Sequence, residues 1–156
     1  MDREIVFKGT FIEVVRKDGK EIVRHRDAVA IVPISDGHVT LVRQERFATG
    51  GKVLELPAGM LEDGESPVES ARRELREETG LHGGEWDKVA AFFTSPGFTD
   101  EKIHLFIATG LEQGEASPEG TEDLELVRVP LEDLPALVAE VDDAKTLAGL
   151  LLLLRR

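Results

Sequence analysis

Gly59 to Leu81 reads GMLEDGESPVESARRELREETGL, and its second half sets Glu74, Glu77 and Glu78 at i, i+3 and i+4. On a helix these offsets share one face. Three neighbouring carboxylates repel one another, so the helix by itself gains nothing from them. The arrangement makes sense around a hard divalent cation, because Mg²⁺ takes oxygen ligands and commonly bridges to substrate phosphates. Spacing alone leaves a second reading open, a solvated surface helix laced by Glu–Arg pairs.

The punctuation of the stretch draws the helix. Ser66 suits the N-cap, Pro67 the first helical position, and Glu69 completes a Ser-x-x-Glu capping box. Gly80 suits the residue after the last turn, where a positive φ is wanted. The helix is therefore expected over 67–79. At about 100° per residue, Val68, Ala71, Leu75 and Thr79 fall in one narrow arc, the expected core face. Glu74, Glu77 and Glu78 occupy the arc beside it, and Arg72, Arg73 and Arg76 lie further round. The acidic stripe borders the apolar stripe, which puts the carboxylates at the edge of a cleft.

The chain has 156 residues, enough for one domain with a core. Apolar residues make up 41%, as in soluble globular proteins. Cysteine is absent, which excludes disulfides and thiolate metal sites and fits a reducing, cytoplasmic location. No signal peptide is expected at the start, and the apolar run Leu150 to Leu154 is too short to span a bilayer. The formal charge of −12 argues against nucleic acid as a partner. It would also repel a small phosphate ester unless metal ions and local arginines reverse the field.

Elsewhere the pattern gives strands with interspersed helices. Ile5 to Val15 reads as a strand, Asp18-Gly19 as a hairpin turn, and Glu21 to Arg26 as the returning strand. Further strands are expected at 27–34, 39–43, 88–94, 102–109 and 124–129. Glu112 to Asp123 holds five acidic residues with Gly, Ser and Pro, an exposed loop. Helices are expected from Pro130 to Ala139 and from Asp142 to Leu154, with Asp142 and Asp143 favourable at the start of the second. This is an α+β or mixed α/β arrangement. No linker divides it, so one domain over 1–156 is expected, with a hairpin arm at 1–26 and a catalytic core at 27–156.

The stretch from Gly59 resembles the Nudix box, the signature of the Nudix hydrolase family. Gly59, Glu65, Arg73, Glu74, Leu75, Glu77, Glu78, Gly80 and Leu81 match every fixed position of that pattern. The resemblance implies an α/β/α sandwich around a mixed sheet, in which a loop wraps a metal-bound diphosphate. It makes Glu74, Glu77 and Glu78 the metal-facing residues, with the Ala58 carbonyl as a further ligand. Arg73 would orient the glutamates and Glu65 would brace the loop.

Features outside the box resemble the ADP-ribose pyrophosphatase subfamily: Val42 to Gly50, Leu54 to Gly59, Ser95 to Glu101 with Pro96, and Asp143 to Leu147. The implied reaction is metal-assisted hydrolysis of a nucleoside diphosphate sugar, ADP-ribose giving AMP and ribose 5-phosphate. Two or three Mg²⁺ or Mn²⁺ ions would serve it. Arg43 and Arg46, near the end of a strand, are candidates to clamp a phosphate. Glu55 is a candidate substrate or metal contact or a plain strand residue, Gly59 a site of close backbone approach, and Phe98 a candidate to stack on adenine.

The loop base is the weakest match, because Gly120 and Thr121 stand where relatives often carry acids. Glu122 is the first choice for fourth metal ligand or base, and Glu119 the second. The resemblance also implies a homodimer that exchanges the N-terminal arm. Two alternatives stand beside this reading. One is the same chemistry on FAD, a dinucleotide, a GDP-sugar or a nucleoside triphosphate. The other is a nucleotide-binding module without turnover, whose usual mark, a broken box, is missing here. His25, His38, His82 and His104 show no ligand-like clustering, and Trp86 reads as a packing residue.

Overall fold

Asp27 to Ile34 is apolar at almost every position, the pattern of a strand covered on both faces. The computed structural model of the protein, which describes residues 4–116 and 124–156, places this run at the centre of the molecule. Strand β4 (Ala28–Ser35) pairs in parallel with β9 (Lys102–Gln113) and antiparallel with β5 (His38–Arg46) and β7 (Ala58–Met60). The order β10-β5-β4-β9-β8 is completed by β10 (Glu125–Pro130) and β8 (Leu81–Phe93), and β6 (Gly51–Glu55) adds to β5.

Alternation along β4 supplies two cores. Ala28, Ala30 and Val32 pack with Leu105, Leu134 and Leu150, beneath helices α2 (Leu134–Val138) and α3 (Ala144–Leu154). Val29 and Ile31 pack with Ala71, Leu75 and Phe106, beneath helix α1 (Pro67–Thr79). The result is the expected α/β/α sandwich around a mixed sheet. Burying Leu75 or Leu150 completely contributes about 1.5–3 kcal/mol each.

Several boundaries differ from the sequence reading. Ile5 to Val15 is two strands, β1 (Glu4–Lys8) and β2 (Glu13–Lys17), and with β3 (Lys20–Arg24) they make a three-stranded sheet. The break falls at Gly9, whose N–H donates to the Ile12 carbonyl at 2.9 Å. A side chain there would come within 2.9 Å of the Phe7 ring. The expected Asp18-Gly19 turn forms, with φ of 52° and 75°. This small sheet joins the core where Val23 N–H donates to the Phe98 carbonyl at 2.7 Å and His25 N–H to the Asp100 carboxylate at 3.0 Å.

Strand β8 starts at Leu81, earlier than expected, because Gly83 and Gly84 take φ of 74° and 68° inside the strand instead of ending it. The helix expected from Pro130 is a 3-10 turn (Leu131–Asp133) followed by the short α2. Asp143 caps α3 by accepting from Thr146 N–H at 3.0 Å. No helix among the described residues is long and apolar enough to cross a membrane.

Candidate active site

Helix α1 forms as its punctuation requires. The Glu69 carboxylate accepts from Ser66 N–H at 2.9 Å, and Gly80, at φ 77°, donates to the Arg76 carbonyl at 2.9 Å. The hydroxyl of Ser66 also donates to Glu69, and this holds the exposed Glu69 carboxyl below its ordinary pKa. Ala71, Leu75 and Thr79 are buried, and the acidic flank comes to rest against β7.

Arg73 organises that flank. Its Nε and Nη2 donate to Glu65 at 2.9 and 3.0 Å, its Nη1 donates to Glu74 at 2.8 Å and to Glu77 at 3.1 Å, and its Nη2 reaches the Met60 carbonyl at 3.2 Å. One planar guanidinium thus spaces three carboxylates. Hydrogen bonds from Arg73 pull the Glu65 carboxyl down to about 2, against an ordinary value of 4.5. In return the carboxylates, Glu65 foremost, raise the pKa of Arg73.

Gly59 explains its own identity. A Cβ built on it would fall 2.0 Å from Glu74 Cδ and 2.1 and 2.4 Å from the two carboxylate oxygens. The Glu74 carboxylate therefore occupies the volume that any other residue would need. The requirement is close approach, since φ at Gly59 is not positive. Glu78 is buried, and its Oε2 accepts from Ala58 N–H at 3.2 Å.

A second charged set lies nearby. Arg46 grips Glu55 with two bonds, 2.7 and 2.8 Å, and Lys145 Nζ reaches the same carboxylate at 2.6 Å. Lys145 also donates to Asp143 at 2.9 Å. Burial alone would raise the Glu55 pKa, but the bonds from Arg46 and the charge of Lys145 outweigh it and lower the net value. The Glu55 bond raises the pKa of Arg46, and the charge of Glu78 adds to the rise, so the two sets adjoin electrostatically.

The structure thus gathers Glu65, Arg73, Glu74 and Glu77 in one hydrogen-bonded group, with Gly59 against Glu74 and with Ala58 and Glu78 joined beside it. Glu55 is enclosed by two cations. Arg43 pairs with Glu125 at 2.9 Å, while Phe98 is exposed where its loop meets β3. Glu119 and Glu122 lie outside the described residues. Lys145 and Asp143 were missed as partners of Glu55. Their signal was a lysine in the first turn of a helix, where the dipole disfavours a cation unless a carboxylate is close. His104 is structural, its Nε2 2.8 Å from Asp27 Oδ2.

Among the described residues no three carboxylates close into a metal cage, and Arg73 stands between Glu74 and Glu77. The donors are nevertheless all oxygen, and among the described residues Glu65, Glu74 and Glu77 share the Arg73 guanidinium. That carboxylate-rich set, with Glu74 seated in the Gly59 cradle, fits a hard divalent cation.

Residues 24–150 match the NUDIX domain family. The chain belongs to the NUDIX family. An ADP-ribose pyrophosphatase of Bacillus subtilis (strain 168) is 42% identical over 158 residues, covering 92% of this chain and 85% of its own. A GDP-mannose pyrophosphatase of Cronobacter sakazakii (strain ATCC BAA-894) is 34% identical over 161 residues, covering 90% of this chain and 83% of its own. The crystal structure of an ADP compounds hydrolase superposes with a TM-score of 0.85 at 26% identity, covering 99% of this NUDIX chain and 91% of its own. These likenesses bear out the expectation of a Nudix hydrolase.

Proposed function

We propose that this NUDIX protein hydrolyses the diphosphate bridge of ADP-ribose, adding water across a P–O bond to give AMP and ribose 5-phosphate. The observation that carries the reading is the Arg73-spaced group, in which three carboxylates share one guanidinium and Glu74 lies against Gly59. The 42% identical ADP-ribose pyrophosphatase supports the choice of substrate.

Glu74, Glu77, Glu78 and the Ala58 carbonyl would hold Mg²⁺ or Mn²⁺, two or three ions. Such ions supply charge neutralisation of the diphosphate and activation of the attacking water. Arg73 keeps Glu74 and Glu77 apart and aimed along one face, and Glu65 fixes Arg73 from the other side. Arg46, anchored by Glu55, holds positive charge beside Glu78, where a diphosphate oxygen can be met. Arg43 is a second candidate phosphate contact, and Phe98 a candidate stacking partner for adenine. Proton removal from water falls to Glu122, or to Glu119 in its place.

One domain spans 1–156, with an arm at 1–26 and the catalytic core at 27–156. The arm leaves Ile5, Val6, Phe7, Phe11 and Ile12 exposed, an apolar surface suited to a homodimer. The absence of cysteine fits the cytoplasm.

A panel of ADP-ribose, FAD, a dinucleotide, GDP-mannose and a nucleoside triphosphate with Mg²⁺, scored by products, tests the assignment. ADP-ribose should give the highest kcat/KM and release AMP. A higher value for GDP-mannose would favour the second reading, to which the 34% identical GDP-mannose pyrophosphatase points. No turnover of any member would overturn hydrolysis altogether.

A further inference from the structure

The outer flank of α1 carries two cations that the proposed hydrolysis leaves unused. Arg72 and Arg76 stand one helical turn apart, where like charges repel. A hollow of about 1120 Å³ runs along this flank, bordered by Arg72, Arg76, Glu77, His82, Trp86 and Glu115. The Arg72 guanidinium lies over the Trp86 ring, 5.8 Å from its centre. Trp86 is itself fixed, its indole N–H donating to the Gly83 carbonyl at 2.8 Å and its ring meeting Phe106 edge-on at 6.3 Å.

No carboxylate among the described residues claims either arginine as an ion pair. Glu77 on the rim is held by Arg73 at 3.1 Å, and Glu69, one turn ahead of Arg72, is bonded to Ser66 and acts on Arg72 only as a nearby charge. Glu115 is exposed at the rim. Arg72 and Arg76, in no ion pair among the described residues, border one hollow, and in a chain of net charge −12 two such cations side by side suit an outside anion. The guanidinium fork matches phosphate oxygens, and the hollow is roomy enough for a mononucleotide.

We propose that Arg72 and Arg76 bind a phosphate monoester in this hollow, beside Trp86. Arg73 and Glu77 also line the hollow, so it abuts the proposed catalytic group. Resting on the reaction proposed above, AMP and ribose 5-phosphate are the monoesters in reach. Retention of either one slows turnover as product accumulates.

The chain has one tryptophan and no tyrosine, so its emission reports Trp86 alone. The full chain with Mg²⁺ is titrated separately with AMP and with ribose 5-phosphate, following Trp86 emission and, in parallel, heat. A saturable change with at least one ester is expected as the anion draws Arg72 from the ring, and the arm that responds identifies the product retained. The double variant Arg72→Gln/Arg76→Gln should weaken that binding about tenfold or more, with kcat at low product unchanged. Absence of any signal with both esters, or equally tight binding by the double variant, would overturn the proposal. Neither titration measures turnover, so the result stands apart from success or failure of the substrate panel.

Discussion

The two charged clusters beside the cleft differ in their arithmetic. Around Glu55 there are two cations, Arg46 and Lys145, and two anions, Glu55 and Asp143. Among the described residues, Arg73 is the cation that meets Glu65, Glu74 and Glu77, with Glu78 alongside and near the charge of Arg46. Both clusters are partly buried and richly bonded. Only in the first do the contacts among the described residues match cations and anions one for one. A surplus of like charge lowers stability unless something else fills it, so imbalance, more than density of charge, separates a place built for an ion from a place that ties strands to a helix. The Glu55 cluster joins β5, β6 and α3, and the Arg73 cluster lies where α1 meets β7.

The sharpest way to break this contrast is Glu78→Gln. If Glu78 holds an ion, kcat/KM falls by at least about 100-fold, beyond the usual cost of disturbing a ligand's support. The fold persists, because the amide keeps the volume of Glu78 and an oxygen that can still accept from Ala58 N–H. Steady-state kinetics and thermal melting with and without Mg²⁺ read both effects: Mg²⁺ with a bound nucleotide sugar should raise Tm for the parent and much less for the variant. Unchanged kinetics would place the Arg73 cluster beside its neighbour as structure alone.

Gly59→Ala tests the cradle. Its Cβ would overlap the Glu74 carboxylate, 2.0 Å from Cδ, so Glu74 must leave its position. Misplacing a reacting group by about an ångström costs up to about 100-fold in rate, and the overpacked contact costs about 1–3 kcal/mol in stability. Wild-type activity in this variant would show that Glu74 does not need its seat.

Glu55→Gln probes the balanced cluster, and there the effect should appear in stability first. Arg46 and Lys145 would face each other across a neutral amide. Breaking a buried pair costs about 3–5 kcal/mol. The Arg46 side chain is 43% exposed, so solvent screening brings the expected loss to about 2 kcal/mol. Urea unfolding measures it, and activity should fall less than in Glu78→Gln. A larger loss of activity than of stability would move Glu55 from anchor to substrate contact.

Local chemistry made α1 legible. Its cap, its proline, its apolar arc and its closing glycine lie within one short window, and each favours the same helix. The remainder was illegible where structure depends on distant partners. Strands β6 and β7 are short and hold Gly51, Ala58 and Gly59, and they are strands only because β5 and β4 offer them edges. The strand was expected only over 88–94, yet β9 carries β8 from Leu81 through Gly83 and Gly84. Arg46 was visible as a cation near a strand end, but Lys145 meets Glu55 across 90 residues, and no local pattern shows that pairing. The carboxylate stripe was predictable because a helix fixes it; the guanidinium bridging it was expected from the family resemblance and not from the local pattern.

The smallest expected effect concerns the brace behind the stripe. Arg73 holds the Glu65 carboxyl near 2, below its ordinary 4.5, so the folded protein favours the charged form. The stability this supplies is fully present above about pH 4.5 and is lost as pH falls towards 2. Glu65→Gln removes that dependence together with the charge. Melted without metal, parent and variant should differ most near neutrality, by about 1–2 kcal/mol for the lost charged bonds, and converge as acid protonates Glu65. Glu69 serves as an internal contrast, because its lowered pKa comes from exposed Ser66 and not from the cluster. Parallel curves at every pH would mean that the Glu65–Arg73 pair adds no more than a solvated one, and the asymmetry between the clusters would then rest on Glu74, Glu77 and Glu78 alone.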